Sequence, residues 1–192
     1  MIGAIILAAG TSQRFGGDKR RALINGKTSV LETTIGNVAN LVDSVLVVLR
    51  ADDSNYKKKL QDQVHLSNVS YFLAPDSALG MAHSLSNAIA TQNNLHAAMI
   101  ILADMPFVTV HSLKALILAY KANRRTHPIV LPTVEGNTGH PVIFDRAYFE
   151  EIGKLQGDCG AKPIIQAHQS NVLKIELKDD GVIRDIDTPT DL

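Results

Sequence analysis

The chain has 192 residues, with 19 basic and 19 acidic side chains and a formal net charge of zero. A chain of this mass exposes roughly 9,000 Å² when folded and roughly 30,000 Å² when extended, so about 70% of its surface is available for burial, enough for one full core. The expected organisation is one domain over residues 1–192. Zero net charge excludes a broad nucleic-acid or membrane-surface partner, because both need a basic excess, and leaves room for a local basic site. No apolar stretch reaches 18 residues, and the apolar residues 1–10 lack a basic leader. The expectation is a cytoplasmic protein with no membrane segment. Cys159 is the single cysteine, which excludes an intrachain disulfide and a cysteine-rich zinc site. It reads as a buried or neutral thiol, or else as a nucleophile that needs a histidine nearby in space.

Along the chain, short apolar runs alternate with helical patterns. Residues 2–8 form an Ile-rich continuous run, as expected of a strand buried on both faces. Ser29-Val30-Leu31-Glu32 is a capping-box pattern that opens a helix to about Leu41. Val45 to Leu49 reads as a second strand, residues 53–62 as a polar helix and Ser70 to Leu73 as a third strand. A helix runs from the Gly80 region to about Gln92. Ala98 to Leu102 is a further buried strand, stopped by Asp104-Met105-Pro106. Residues 110–122 are helical, Pro128 to Pro132 and Pro141 to Phe144 are short strands, 146–155 and 160–168 are helical, and 172–177 is a late strand. Alternating strands and helices predict βαβ units around a mostly parallel sheet, with ligands at the carboxyl ends of the strands.

Three segments follow strands. In Leu7-Ala8-Ala9-Gly10-Thr11-Ser12-Gln13-Arg14-Phe15-Gly16-Gly17-Asp18-Lys19, small residues let a ligand approach the backbone. Hydroxyls and two cations follow, which is the chemistry of a phosphate cradle. The segment lacks the Gly-Lys-Ser/Thr of a P-loop and the G-x-G-x-x-G of a dinucleotide site, and it reads otherwise as a flexible surface loop. Asp104, just past a buried strand, is placed to hold a divalent metal or to cap a turn. In the tail, Asp185 and Asp187 share a direction if extended. One of them completes a metal site with Asp104, or the segment is an ordinary acidic terminus. None of the seven histidines has a recognised metal-ligand spacing. His83 and His140 stand out for their Gly-flanked segments, and Lys57-Lys58-Lys59 and Arg124-Arg125 read as solvated helix faces.

Taken together, Leu7-Ala8-Ala9-Gly10-x-Ser12-x-Arg14-Phe15-Gly16-x-x-Lys19 and Leu102-Ala103-Asp104-Met105-Pro106 resemble the motifs of nucleotidyltransferases of the molybdenum-cofactor type. Gly139-His140-Pro141-Val142-Ile143-Phe144, Gly157-Asp158-x-Gly160-Ala161-Lys162 and Asp185-Ile186-Asp187-Thr188-Pro189 match the family's later motifs in order. The loop Gly80-Met81-Ala82-His83-Ser84-Leu85 is similar to that of the molybdenum cofactor cytidylyltransferases. The guanylyltransferases carry a Gly-Pro-Leu type loop there. The resemblance implies a three-layer Rossmann-like nucleotidyltransferase fold, α/β with a mostly parallel sheet. It implies CTP and molybdopterin as substrates, Mg²⁺ as cofactor, and a client molybdoenzyme of the xanthine dehydrogenase type. It gives Lys19 and Arg14 catalytic roles, with Leu7, Ala8, Ala9, Gly10, Ser12, Gly80, Ser84 and Asp104 around the nucleotide. Asp104 and Asp187 would hold the metal, and His140, Gly157, Asp158 and Gly160 would lie on the acceptor side. The chain departs from the family pattern after the lysine, where Arg20-Arg21 replaces apolar leucines. These arginines grip the acceptor's phosphate or face solvent. The rival readings are a guanylyltransferase or another transferase with a different acceptor, a pyridine-nucleotide-dependent oxidoreductase, and a non-catalytic cofactor carrier.

Overall fold

The computed structural model describes residues 1–192, Gln13 through its backbone alone. In chain order the elements are β1 (Ile2–Leu7), β2 (Leu23–Ile24), β3 (Thr28–Ser29), α1 (Val30–Ala39), β4 (Ser44–Arg50), α2 (Ser54–Gln63), β5 (Val69–Ala74) and α3 (Met81–Ile89). They continue as β6 (Ala97–Leu102), α4 (Val110–Asn123), β7 (Ile129–Val134), β8 (Asn137–Thr138), β9 (Val142–Asp145), α5 (Phe149–Ile152), α6 (Lys162–Ala167) and β10 (Val172–Glu176). The main sheet has the order β10-β7-β9-β6-β1-β4-β5, with β8 attached to β7.

Two-sided burial explains why the strands read as unbroken apolar runs. In β1, Ile2, Ala4 and Ile6 face a layer built on Leu31, Ile35 and Val38 of α1 and Leu113 and Leu116 of α4. Ile5 and Leu7 face the opposite layer, with Leu85, Ala88 and Ile89 of α3, Ile152 of α5 and Ile164 of α6. Strands β4 and β6 alternate in the same way. This is the expected α/β architecture of a sheet between two helical layers. The exposed surface of 9545 Å² sits close to the size-scaling value. The capping box is present: the Ser29 hydroxyl accepts from the Glu32 N–H at 3.2 Å, and Glu32 accepts from the Ser29 N–H at 2.9 Å.

Two strands break the parallel order, the two-residue β8, antiparallel to β7 at the margin, and β9 inside the sheet. β9 is antiparallel to β6 on one side and to β7 on the other. It therefore joins two parallel sets, β5-β4-β1-β6 and β7-β10.

Three local features differ from the sequence expectation. Residues 146–155 form a 3₁₀ turn (Arg146–Tyr148) followed by the single-turn α5, because the Asp145 side chain caps Ala147 and the helix stops at Gly153. Hairpins join β2 to β3 and β7 to β8. Their turns hold Asn25 and Gly26 at φ 51° and 68°, and Glu135 and Gly136 at φ 50° and 79°. Positive φ at both central residues is what a type I′ turn requires.

Candidate active site

β1 and β6 are parallel neighbours in register, with Leu7 opposite Leu102, so their carboxyl ends open side by side. The Ala8 N–H donates to the Val48 carbonyl at 2.8 Å, and the Ala103 N–H donates to that of Leu7 at 3.1 Å. The first loop therefore leaves the sheet from a fixed base. Above it lies a cavity of about 540 Å³. Leu7, Ala8, Ala9, Gly10, Ser12, Gly80, Ser84 and Asp104 all line it, together with Lys19. A Cβ on Gly10 would meet nothing within 4 Å, so that side of the loop is open space. Ser84 donates its hydroxyl hydrogen to the Gly80 carbonyl at 3.3 Å and keeps its oxygen available as an acceptor. Ser77, Ala78 and Leu79 complete the wall opposite the sheet; sequence reasoning missed them, and nothing in their composition marks them.

Lys19 is the focus of the charges. Its Nζ lies 2.5 Å from Asp104 Oδ2 and 3.7 Å from Asp187 Oδ1, and it donates to the Ile186 carbonyl at 2.9 Å. Arg14, exposed to solvent, reaches Asp187 Oδ2 at 2.5 Å without lining the cavity. The Ile186 N–H donates to the Asp104 carbonyl at 2.9 Å, so the tail is strapped to the metal-type turn. Asp185 is exposed. The other carboxylate oxygen, Asp104 Oδ1, is buried with no hydrogen-bond partner. An orphaned buried carboxylate oxygen beside a second carboxylate suits a hard divalent cation. Among the described residues no three metal-ligating side chains cluster. A cation held by Asp104 and Asp187 would complete its shell with phosphate oxygens and water, as Mg²⁺ sites do.

Arg20 does not face solvent, and it borders the first cavity. It is 3% exposed and bonded to Asp18 and Asp53. Burial works to raise the pKa values of these two carboxyls, but their bonds to Arg20 outweigh it and hold both below the usual carboxylate range. Arg21 is half exposed, with its guanidinium 4.3 Å from the centre of the Tyr56 ring.

A second cavity of about 640 Å³ opens on the other side of β6. Its floor is apolar, with Leu85, Ile100, Leu131, Val142 and Phe144, and its rim carries Thr138, Lys162, Gln166, Gln169 and Lys174. His140, Asp158 and Gly160 line it, as does Cys159, whose thiol is exposed rather than buried. Burial lowers the His140 pKa, against the opposing pull of the Ile100 backbone, Asp104 and Asp185. Its Nδ1 is buried without a partner. Gly157 stands just outside the lining, and its carbonyl accepts from the Ala82 N–H at 3.1 Å. The Met81 N–H donates to Asp158 Oδ1 at 2.9 Å. The two cavities share only Leu7, Met81, Leu102 and Asp158 as a common wall.

Two adjoining cavities thus open at the carboxyl ends of a mostly parallel sheet, one of them beside a small-residue loop with Lys19 and Asp104. The fold is that of the nucleotidyltransferases, and the chain is an enzyme of that class. More narrowly, the pattern of the MobA-like NTP transferase domain matches residues 4–172, and the chain belongs to that family. It is 26% identical over 191 residues to the purine catabolism protein PucB of Bacillus subtilis, spanning 96% of this chain and 91% of that one. A probable molybdenum cofactor guanylyltransferase of Thermococcus gammatolerans is 30% identical over 127 residues, 66% of this chain and 60% of the other. The crystal structure of Rv0371c from Mycobacterium tuberculosis H37Rv superposes with a TM-score of 0.80 at 23% identity, over 99% of this chain and 94% of that one. A complex of Rv0371c with manganese superposes at 0.72 and 21% identity, covering 92% and 88%.

Proposed function

We propose that the protein transfers CMP from CTP to the terminal phosphate of molybdopterin, forming the cytosine dinucleotide cofactor and releasing pyrophosphate. The observation that carries this reading is the Lys19–Asp104 pair set beside the wall shared by two cavities. One cavity has a loop suited to a triphosphate. The other has the apolar floor and polar rim suited to a flat heterocycle.

An oxygen of the acceptor phosphate attacks the α-phosphorus, and the bond to the bridging oxygen of pyrophosphate breaks. The attacking oxygen is already ionised, so no general base is required and the protein contributes charge and alignment. Two unit charges 4 Å apart interact by about 4 kcal/mol at an effective dielectric near 20, so Lys19 on the transferring phosphate lowers the barrier appreciably. Arg14 neutralises the departing pyrophosphate. Asp104 and Asp187 are the residues that would hold Mg²⁺, which supplies counter-charge to the phosphate oxygens when bound. The manganese complex of the Rv0371c neighbour supports a divalent ion in this fold. The backbone of Ala8 to Gly10 borders the nucleotide, and Ser84 faces the base. His140, Gly157, Asp158 and Gly160 serve the acceptor side.

CTP is favoured by the resemblance of the 80–85 loop to that of the cytidylyltransferases. GTP is the second reading, favoured by the relative named as a guanylyltransferase. The client enzyme is of the xanthine dehydrogenase type, in keeping with the purine catabolism name of the Bacillus relative. The test is pyrophosphate release from CTP and from GTP with Mg²⁺ and molybdopterin. Release from CTP alone is expected. Release from GTP alone overturns the base assignment, and release from neither overturns the acceptor.

A further inference from the structure

We infer that Arg20 is a positioning residue for Lys19: it pins the single turn that carries the lysine and so aims the ammonium at the transferring phosphate. This rests on the role proposed above for Lys19.

Lys19, Arg20 and Arg21 form one 3₁₀ turn. At three residues per turn, successive side chains leave the axis about 120° apart, so three adjacent basic residues take three directions. Lys19 enters the nucleotide cavity and Arg21 lies over Tyr56. Arg20 takes the remaining direction, beneath the floor of the same cavity, where it is 3% exposed.

There every N–H of the guanidinium is used. Nε donates to Asp18 Oδ1 at 2.7 Å, and Nη2 donates to Asp18 Oδ2 at 2.8 Å and to Asp53 Oδ1 at 3.2 Å. Nη1 donates to Asp53 Oδ2 at 2.5 Å and to the Ala8 carbonyl at 2.8 Å. A planar fork with all five donors engaged has one orientation. It fastens the turn to Asp18, the residue that precedes it, to Ala8 at the start of the first loop and to Asp53, the residue just before α2. Asp53 is itself fixed by the Arg50 N–H at 3.1 Å.

The cluster sets Arg20, Arg21 and Arg50 against Asp18 and Asp53, so the Arg20 charge is offset by carboxylates it touches directly. Arg20→Lys keeps that charge and removes the fork, which separates geometry from field. A lysine on its flexible four-carbon stem has no comparable means of fixing its own base.

The experiment is a double-mutant cycle on kcat for pyrophosphate release from CTP, with CTP affinity measured separately by titration. Arg20→Met is expected to lower kcat by up to about 100-fold, the scale of a misplacement near 1 Å. Arg20→Lys keeps the charge, loses the fork and falls between Arg20→Met and the unmodified protein. CTP affinity is expected to change far less than kcat in both. In a Lys19→Ala background neither Arg20 substitution lowers kcat further, because the residue it acts through is gone. Equal fold-losses in both backgrounds, or an unchanged kcat in Arg20→Lys, overturn the inference. Circular dichroism checks the fold; if Arg20→Met does not fold, Arg20→Lys decides. Normal turnover in Lys19→Ala alone overturns the role of Lys19, and this inference with it.

Discussion

Gly80→Ala probes the wall between the two cavities. Gly80 sits at φ 124° and ψ 175°, a region that only glycine adopts freely. A Cβ there would lie 2.4 Å from the Gly157 carbonyl oxygen, 2.8 Å from its carbon and 3.2 Å from the Asp158 Cα. All three are backbone atoms, so no side chain can swing aside. Strained dihedrals cost about 1–3 kcal/mol and overpacking about another 1–3 kcal/mol. For a chain of this size each kcal/mol moves the midpoint by about 2–4 °C, so a total near 4 kcal/mol gives a fall of about 8–16 °C. The clash is relieved by parting the 157–158 segment from the start of α3, which breaks the Met81–Asp158 and Ala82–Gly157 bonds. Thermal unfolding reads the first effect, and KM values for nucleotide and acceptor read the second; both are expected to rise. A midpoint within about 2 °C of the unmodified protein, a shift worth at most about 1 kcal/mol, refutes the reasoning.

Gly10→Ala is the contrasting case. Its Cβ enters open space, so the midpoint stays within about 2 °C while nucleotide affinity, read by titration, falls. Asp104→Asn removes a charge from the candidate cation position. Turnover is expected to fall about 10²–10³-fold and the Mg²⁺ needed for half-maximal rate to rise. Asp53 has a folded pKa below its ordinary 3.8, so its pairing stabilises the fold above that value and is lost as pH falls through the folded pKa. Denaturant titrations at pH 5 and pH 3 are therefore expected to show a smaller acid loss for Asp53→Asn, a variant that is less stable at neutral pH.

The sheet was legible in the sequence because burial on both faces leaves an unmistakable trace. β1 and β6 are unbroken apolar runs apart from Gly3, the Val45–Leu49 centre of β4 is another, and each stands where the pattern placed it. The α1 start was legible because a capping box is local, four residues that satisfy one another. The two hairpins left a signal that went unread: Asn25-Gly26 is a strong turn dipeptide, and Glu135-Gly136 a weaker one. Arg20 was not legible. Its partner Asp53 is 33 residues away, and a basic triplet in isolation looks the same whether its members face water, a ligand or the interior. The wall at Ser77–Leu79 was hidden for a similar reason, since only the placement of β5 and α3 brings it over the first loop.

The antiparallel β9 also bears on how such an enzyme changes its trade. Four residue pairs join it to β6 and two join it to β7. On one side of this short seam stand the strands whose ends carry the small-residue loop and Asp104. On the other stand β7 and β10, which together with α6 supply Leu131, Ile165, Gln166, Val172 and Lys174 of the second cavity. The strands and loop around the first cavity and much of the lining of the second are thus separate panels joined through one strand. Exchanging residues 129–176 for those of a relative replaces the seam strand and the second panel together, and of the described lining of the first cavity it changes Asp158 alone.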